Sequence, residues 1–160
     1  MRITTRKGDV FCVEIEQSYK VFFQYIGNDM TQLNSSVIRV FKKHYSLDEE
    51  PVMDQIVCNG VSFYAHTILR VGIERGAWYK VGSHDDVGEE KDVCFRMFGD
   101  LDFSKINKSY RWYVWTMNQP LVFVGEMTDE YIDYNVGFVY SYLDIVEKIK
   151  TGYFLLKHID

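Results

Sequence analysis

The chain has 160 residues, 47% of them hydrophobic, with a net charge of −5. That suits one domain (1–160) with a real core and excludes a disordered chain. The acidic excess sits in residues 85–133, where 5 basic and 11 acidic side chains give −6, a field that repels phosphates and argues against a nucleic-acid partner.

The N-terminal MRITTRKGD holds no apolar signal core, and no window reaches the 18 apolar residues of a membrane helix. The expectation is a cytoplasmic protein with no membrane partner. GDVFCVEI reads as a strand with Phe11, Val13 and Ile15 on one face and Cys12, Glu14 and Glu16 on the other. EQSYK supplies a polar turn, and VFFQYIG returns as the second arm of a hairpin. SSVIRVFKKHY (35–45) reads as a third strand, with Ile38 and Val40 opposite Val37, Arg39 and Phe41. After the acidic loop SLDEEP, VMDQIVCNG fits either a short helix or a strand, and SFYAHTILRVGIERGAWYKVG reads as two extended runs around glycines 72 and 76.

DVCFRMFGD (92–100) and SYRWYVWTMN (109–118) are further strands, the latter forming a hairpin with LVFVGEM through Asn118-Gln119-Pro120. Alternation sets Tyr110, Trp112 and Val114 against Arg111, Tyr113 and Trp115. If one face packs, the other exposes Tyr113 and Trp115, residue types enriched at protein interfaces. YSYLDIVEKIKTG carries a helix over about 141–151. Ser141 is its N-cap, Asp144 its capping-box partner and Gly152 its C-cap, and Leu143, Val146 and Ile149 or Ile145 form an apolar stripe. YFLLKHI follows as a last strand or tail. The fold class is mainly β (α+β), a twisted antiparallel sheet or partly open barrel of about seven to nine short strands with that C-terminal helix.

Nucleotide-binding, zinc-protease and hydrolase signatures are missing, so no cofactor is expected. His44, His66, His84 and His158 stand apart from any ligand-spaced Cys or His, and HDDVGEE lacks the EF-hand spacing, so no metal is expected. A structural role suits His66, in FYAHTIL, better than a dyad with Cys58. Cys12, Cys58 and Cys94 are odd in number and lie among apolar neighbours, as buried free thiols do. The densest acid is HDDVGEEKD, with Asp85, Asp86, Glu89, Glu90 and Asp92, and EMTDEYIDY, with Asp129, Glu130 and Asp133. Polar carboxylate runs of this kind suit steering of a basic partner better than acid–base catalysis in a dry pocket.

RKGDVFCVEI, the hairpin SYKVFFQYIG, VIRVF at 37–41, GAWYKVG at 76–82 and the YLDIVEKIKTG helix together resemble the bacterial polymorphic-toxin immunity proteins of immunity protein family 26. The resemblance implies a non-catalytic, mostly β protein that protects its cell by binding a cognate toxin domain. A nuclease with a basic cleft would match an acidic surface of Asp85, Asp86, Glu89, Glu90 and Asp92, joined by the Asp129–Asp133 run and by Tyr113 and Trp115. The alternative is a small β-barrel that binds or cuts RNA, since such toxin ribonucleases also open on a Gly-Asp strand. Only a modest basic cluster at Arg6 and Lys7 serves that reading.

Overall fold

A computed structural model describes residues 2–154, the side chain of Phe103 apart. The described residues form ten strands and three α-helices: β1 Asp9–Ile15, β2 Tyr19–Asp29, β3 Ser35–Phe41, α1 Met53–Val57, β4 Val61–Thr67, α2 Leu69–Glu74, β5 Tyr79–Ser83, β6 Cys94–Phe98, β7 Trp112–Thr116, β8 Val122–Gly125, β9 Asn135–Val136, β10 Val139–Tyr140 and α3 Tyr142–Thr151. The fold is therefore mainly β with a C-terminal helix, as expected. The strands divide between two mixed sheets, and neither is closed into a barrel: a six-stranded sheet ordered β10-β4-β3-β2-β1-β5 and a four-stranded sheet ordered β8-β7-β6-β9. Most pairings are antiparallel, while β10–β4 and β6–β9 are parallel.

The large sheet is covered on both faces, which is why β1, β2 and β3 are apolar on both sides of their alternation. One face presents Phe11, Val13, Phe23, Ile38, Val40 and Ala65 to Leu69, Trp78 and Ile145 of the α2 and α3 region. The opposite face splits in two. At one end Val10, Cys12, Phe22 and Phe41 pack on Ile56 and Val57 of α1, and at the other Ile26 and Val37 pack on Phe95, Trp115 and Met117 of the small sheet. The opposed faces read from β1 and β3 thus hold, but the second face is core as well.

The β1–β2 hairpin closes with Glu16 and Gln17 both at positive φ, 51° and 56°, and Ser18 N donating to Ile15 O at 2.9 Å. Positive φ at both central residues is the mark of the turns whose twist matches that of the flanking strands. α3 has the expected caps: Ser141 Oγ accepts from Asp144 N, and Gly152 ends the helix at φ 84°. Its buried stripe is Ile145 with Val146 and Ile149, whereas Leu143 is 63% exposed.

Of the two readings open for VMDQIVCNG the helix is the one formed, as α1, and one local expectation changes: LRVGIE, expected to be extended, is helical. Leu69, Gly72 and Ile73 recur at helical spacing, and the helix packs on Trp78, whose Nε1 donates to Leu69 O at 3.1 Å. The tail YFLLKHI lies, from residue 155 on, outside the described residues.

Gly72 makes the Trp78 contact possible, because a Cβ there would sit 2.0 Å from the indole. Gly72→Ala should displace Trp78 and cost about 2 kcal/mol, as overpacked cores do. The measurement is a urea midpoint that falls at unchanged slope.

Candidate functional site

The HDDVGEEKD loop crosses the large sheet at the seam between α1 and the small sheet. Its backbone is fixed by two buried polar residues that stand where apolar ones would alternate. Gln24 in β2 is fully buried and paired with Arg39 of β3. Gln24 Nε2 donates to Gly8 O and His84 O at 3.1 and 3.0 Å, while its Oε1 accepts from Arg39 Nε at 2.9 Å. Arg39 Nη2 then donates to Asp86 O at 2.8 Å. Gly88 follows at φ 76°, with a Cβ position only 2.8 Å from Arg39 Nη1, so the loop lies close against the guanidinium. His84 Nε2 is 2.6 Å from Asp54 Oδ1 of α1, and Val87 packs on the inter-sheet cluster.

The far end of the loop is tied to the β7–β8 turn. Met117 N donates to Val93 O at 2.9 Å, and Asn118 Nδ2 donates to Glu90 Oε1 at 3.2 Å. Asn118 is itself held from below. Its N–H donates to Asp29 Oδ1 at 3.2 Å, and its Oδ1 accepts from Met30 N at 2.8 Å.

Asp29, at the end of β2, is fully buried and holds the two sheets together. Its Oδ2 lies 3.0 Å from His66 Nε2 of β4 and accepts from Trp115 Nε1 of β7 at 2.8 Å. An ionised carboxylate only accepts, so His66 Nε2 is the donor. Burial alone would raise this carboxyl's pKa. The hydrogen bonds from His66, Trp115 and the Asn118 amide outweigh it and hold the pKa at about 2. A second tie runs through Asn135 of β9, whose Oδ1 accepts from Tyr64 N and whose Nδ2 donates to Cys94 O.

With the backbone so fixed, Asp85, Asp86, Glu89, Glu90 and Asp92 are all exposed. A recess of about 300 Å³ opens beside them, lined by Lys7, Ile26, Val87, Glu89, Glu90 and Val93. Asp129, Glu130 and Asp133 are exposed too, in the turns that carry the chain from β8 at one edge of the small sheet to β9 at the other. Among the described residues no hydrogen bond or ion pair joins this second acidic run to the first. Tyr113 is half-buried and meets Phe123 edge-on at 5.2 Å.

Trp115 corrects the sequence reading. It is 2% exposed and bound to Asp29, so it offers no surface. The reason is that β7 is covered on both faces at this point, with Trp112 and Val114 buried as well. Cys58 is likewise exposed rather than buried, while all three cysteines are free. The sequence reading passed over Gln24, Arg39 and Asp29. Their signal was a polar residue at a core-facing position of an apolar strand.

The sequence model of the family described as Immunity protein 26 matches residues 6–110. The matched span holds β1 to β6, the whole 84–92 loop and its Gln24–Arg39 support; Tyr113 and the 129–133 run lie beyond it. Comparison with curated proteins and with solved structures gives no match.

The depressed carboxyl ties stability to pH. Because Asp29's pKa is lowered on folding, its contribution is complete above about pH 5 and is lost as pH falls through about 2, an effect of about 2 kcal/mol. Asp29→Asn should cost about 3 kcal/mol at pH 7 and less near pH 2, read from urea unfolding at both. A penalty equal at the two pH values would rule out an ionised Asp29 in the fold.

Proposed function

The chain belongs to the Immunity protein 26 family, and from that premise we propose that it binds and neutralises a cognate toxin domain through the 84–92 loop. Immunity proteins are generally non-catalytic, and the proposed role needs no reaction by this chain. It needs a surface that is charged, complementary and already in its bound shape. The observation that carries the reading is the contrast within the loop. Its backbone is bonded to the buried Gln24–Arg39 pair, while the carboxylates of Asp85, Asp86, Glu89 and Asp92 are exposed. Glu90 is exposed as well, with one oxygen held by Asn118.

Such a loop suits a toxin with a basic cleft, above all a nuclease whose substrate phosphates the carboxylates would replace. Opposed charge of this kind accelerates encounter more than it adds affinity. A loop held rigid in the free protein loses little entropy on docking. The same charge disfavours the RNA-handling alternative.

The test is the triple reversal Asp86→Lys, Glu89→Lys, Glu90→Lys, measured against the cognate toxin domain. Association should slow by about tenfold or more at low ionic strength, and the difference should shrink towards about 0.5 M salt. Unchanged association would remove the loop from the interface. Appreciable RNA retention in a filter assay at moderate salt would favour the alternative instead.

A further inference from the structure

β8 is the outer strand of the small sheet, and no strand among the described residues pairs with its free edge. It is also the most apolar exposed strand, with Val122 52% and Phe123 60% exposed and Leu121 just ahead of it at 36%. The opposite edge strand of the large sheet is committed differently: in β5, Tyr79 OH donates to Glu14 and Lys80 pairs with Asp9. An unguarded apolar edge is a template for another strand, and proteins normally blunt it with a lysine or an inward charge. Residues 121–125, LVFVG, contain neither.

The edge has defined limits. Pro120 precedes it, and Gly125, at φ 78°, ends it. An added strand therefore has about four residues to pair with, or about 13 Å at a strand's rise. Phe123 and the directly paired Tyr113 form an aromatic step on one face of the sheet, and Val122, next along the strand, points to the other.

Charge selects the occupant. Residues 121–134 hold Glu126, Asp129, Glu130 and Asp133 and no basic residue. Lys108 engages Glu126, leaving Asp129, Glu130 and Asp133 exposed beyond the end of the strand. A second copy pairing antiparallel would set this tract against Asn118-Gln119-Pro120, which offers no positive charge. A parallel copy would set acid on acid.

We infer that the β8 edge accepts an extended segment of the toxin domain, about four residues with alternating apolar side chains and flanking Lys or Arg, as an added fifth strand of the small sheet. This rests on the toxin-binding reading and gives the partner a second contact, separate from the 84–92 loop. Main-chain hydrogen bonds would hold the segment, the Tyr113–Phe123 step would take its apolar side chains, and the acidic tract would fix its position along the edge.

The experiment is hydrogen exchange on the wild-type protein, alone and saturated with the cognate toxin domain, followed by the variant Val122→Lys, Phe123→Lys. Amides of residues 121–125 should exchange about tenfold more slowly in the complex. The double variant, with thermal unfolding near wild type, should raise Kd by about tenfold or more. A complex that forms with no added protection at 121–125 overturns the edge-strand inference and leaves the toxin-binding reading standing. Absence of any complex overturns both. A protein that is dimeric alone, with 121–125 already protected, makes the occupant a second copy and likewise overturns the inference.

Discussion

The structure depends on one buried carboxylate. Asp29 sits between two sheets that share no strand, and it bonds His66 of one, Trp115 of the other and the amide of Asn118 in the turn beyond. A charge in such a place is costly unless every lone pair is used, and here the donors come from separate parts of the chain. Apolar packing of Phe95 and Trp115 on Ile26 and Val37 supplies the attraction between the sheets. It does not fix how one lies on the other, since apolar contact has little direction. The carboxylate does, because its acceptor geometry is met in only one arrangement of His66, Trp115 and Asn118.

Two polar routes reach the candidate site, one from that carboxylate and one from the middle of the large sheet. Asn118 links Asp29 to Glu90, and Gln24 and Arg39 link the middle of the large sheet to His84 and Asp86. Both routes end on the same loop, one near each end. The loop is therefore an extension of the core rather than an appendage. A segment with five exposed carboxylates would otherwise repel itself into many conformations. Anchoring through the carbonyls of His84 and Asp86 leaves most of its carboxylates exposed, and the adjacent guanidinium of Arg39 lowers the cost of crowding them.

Much of this fold is visible in the sequence where one rule acts alone. The α3 caps, the β1–β2 turn and the face assignments of β3 follow from local chemistry, and they hold. α2 was missed because LRVGIE is short and rich in β-branched residues; the packing of Trp78 on Gly72 decides it, and that is a tertiary fact. Trp115 was misplaced because strand alternation predicts one open face, and this sheet has none there. At the site, composition found the acidic residues but not what holds them. Gln24 and Arg39 become meaningful only once β2 and β3 are paired and the loop, some sixty residues after Gln24, lies above them.

The separation of buried and exposed charge also bears on how specificity could arise in this family. The match spans the loop and its internal support, and it ends before β7, β8 and the 129–133 run. Substitution of Gln24, Arg39 or Asp29 disturbs buried hydrogen bonds and is expensive. Substitution of Asp85, Glu89 or Asp92 changes exposed side chains outside the core and is cheap for the fold. Surface charges can therefore change from one chain to another while the scaffold that presents them stays fixed.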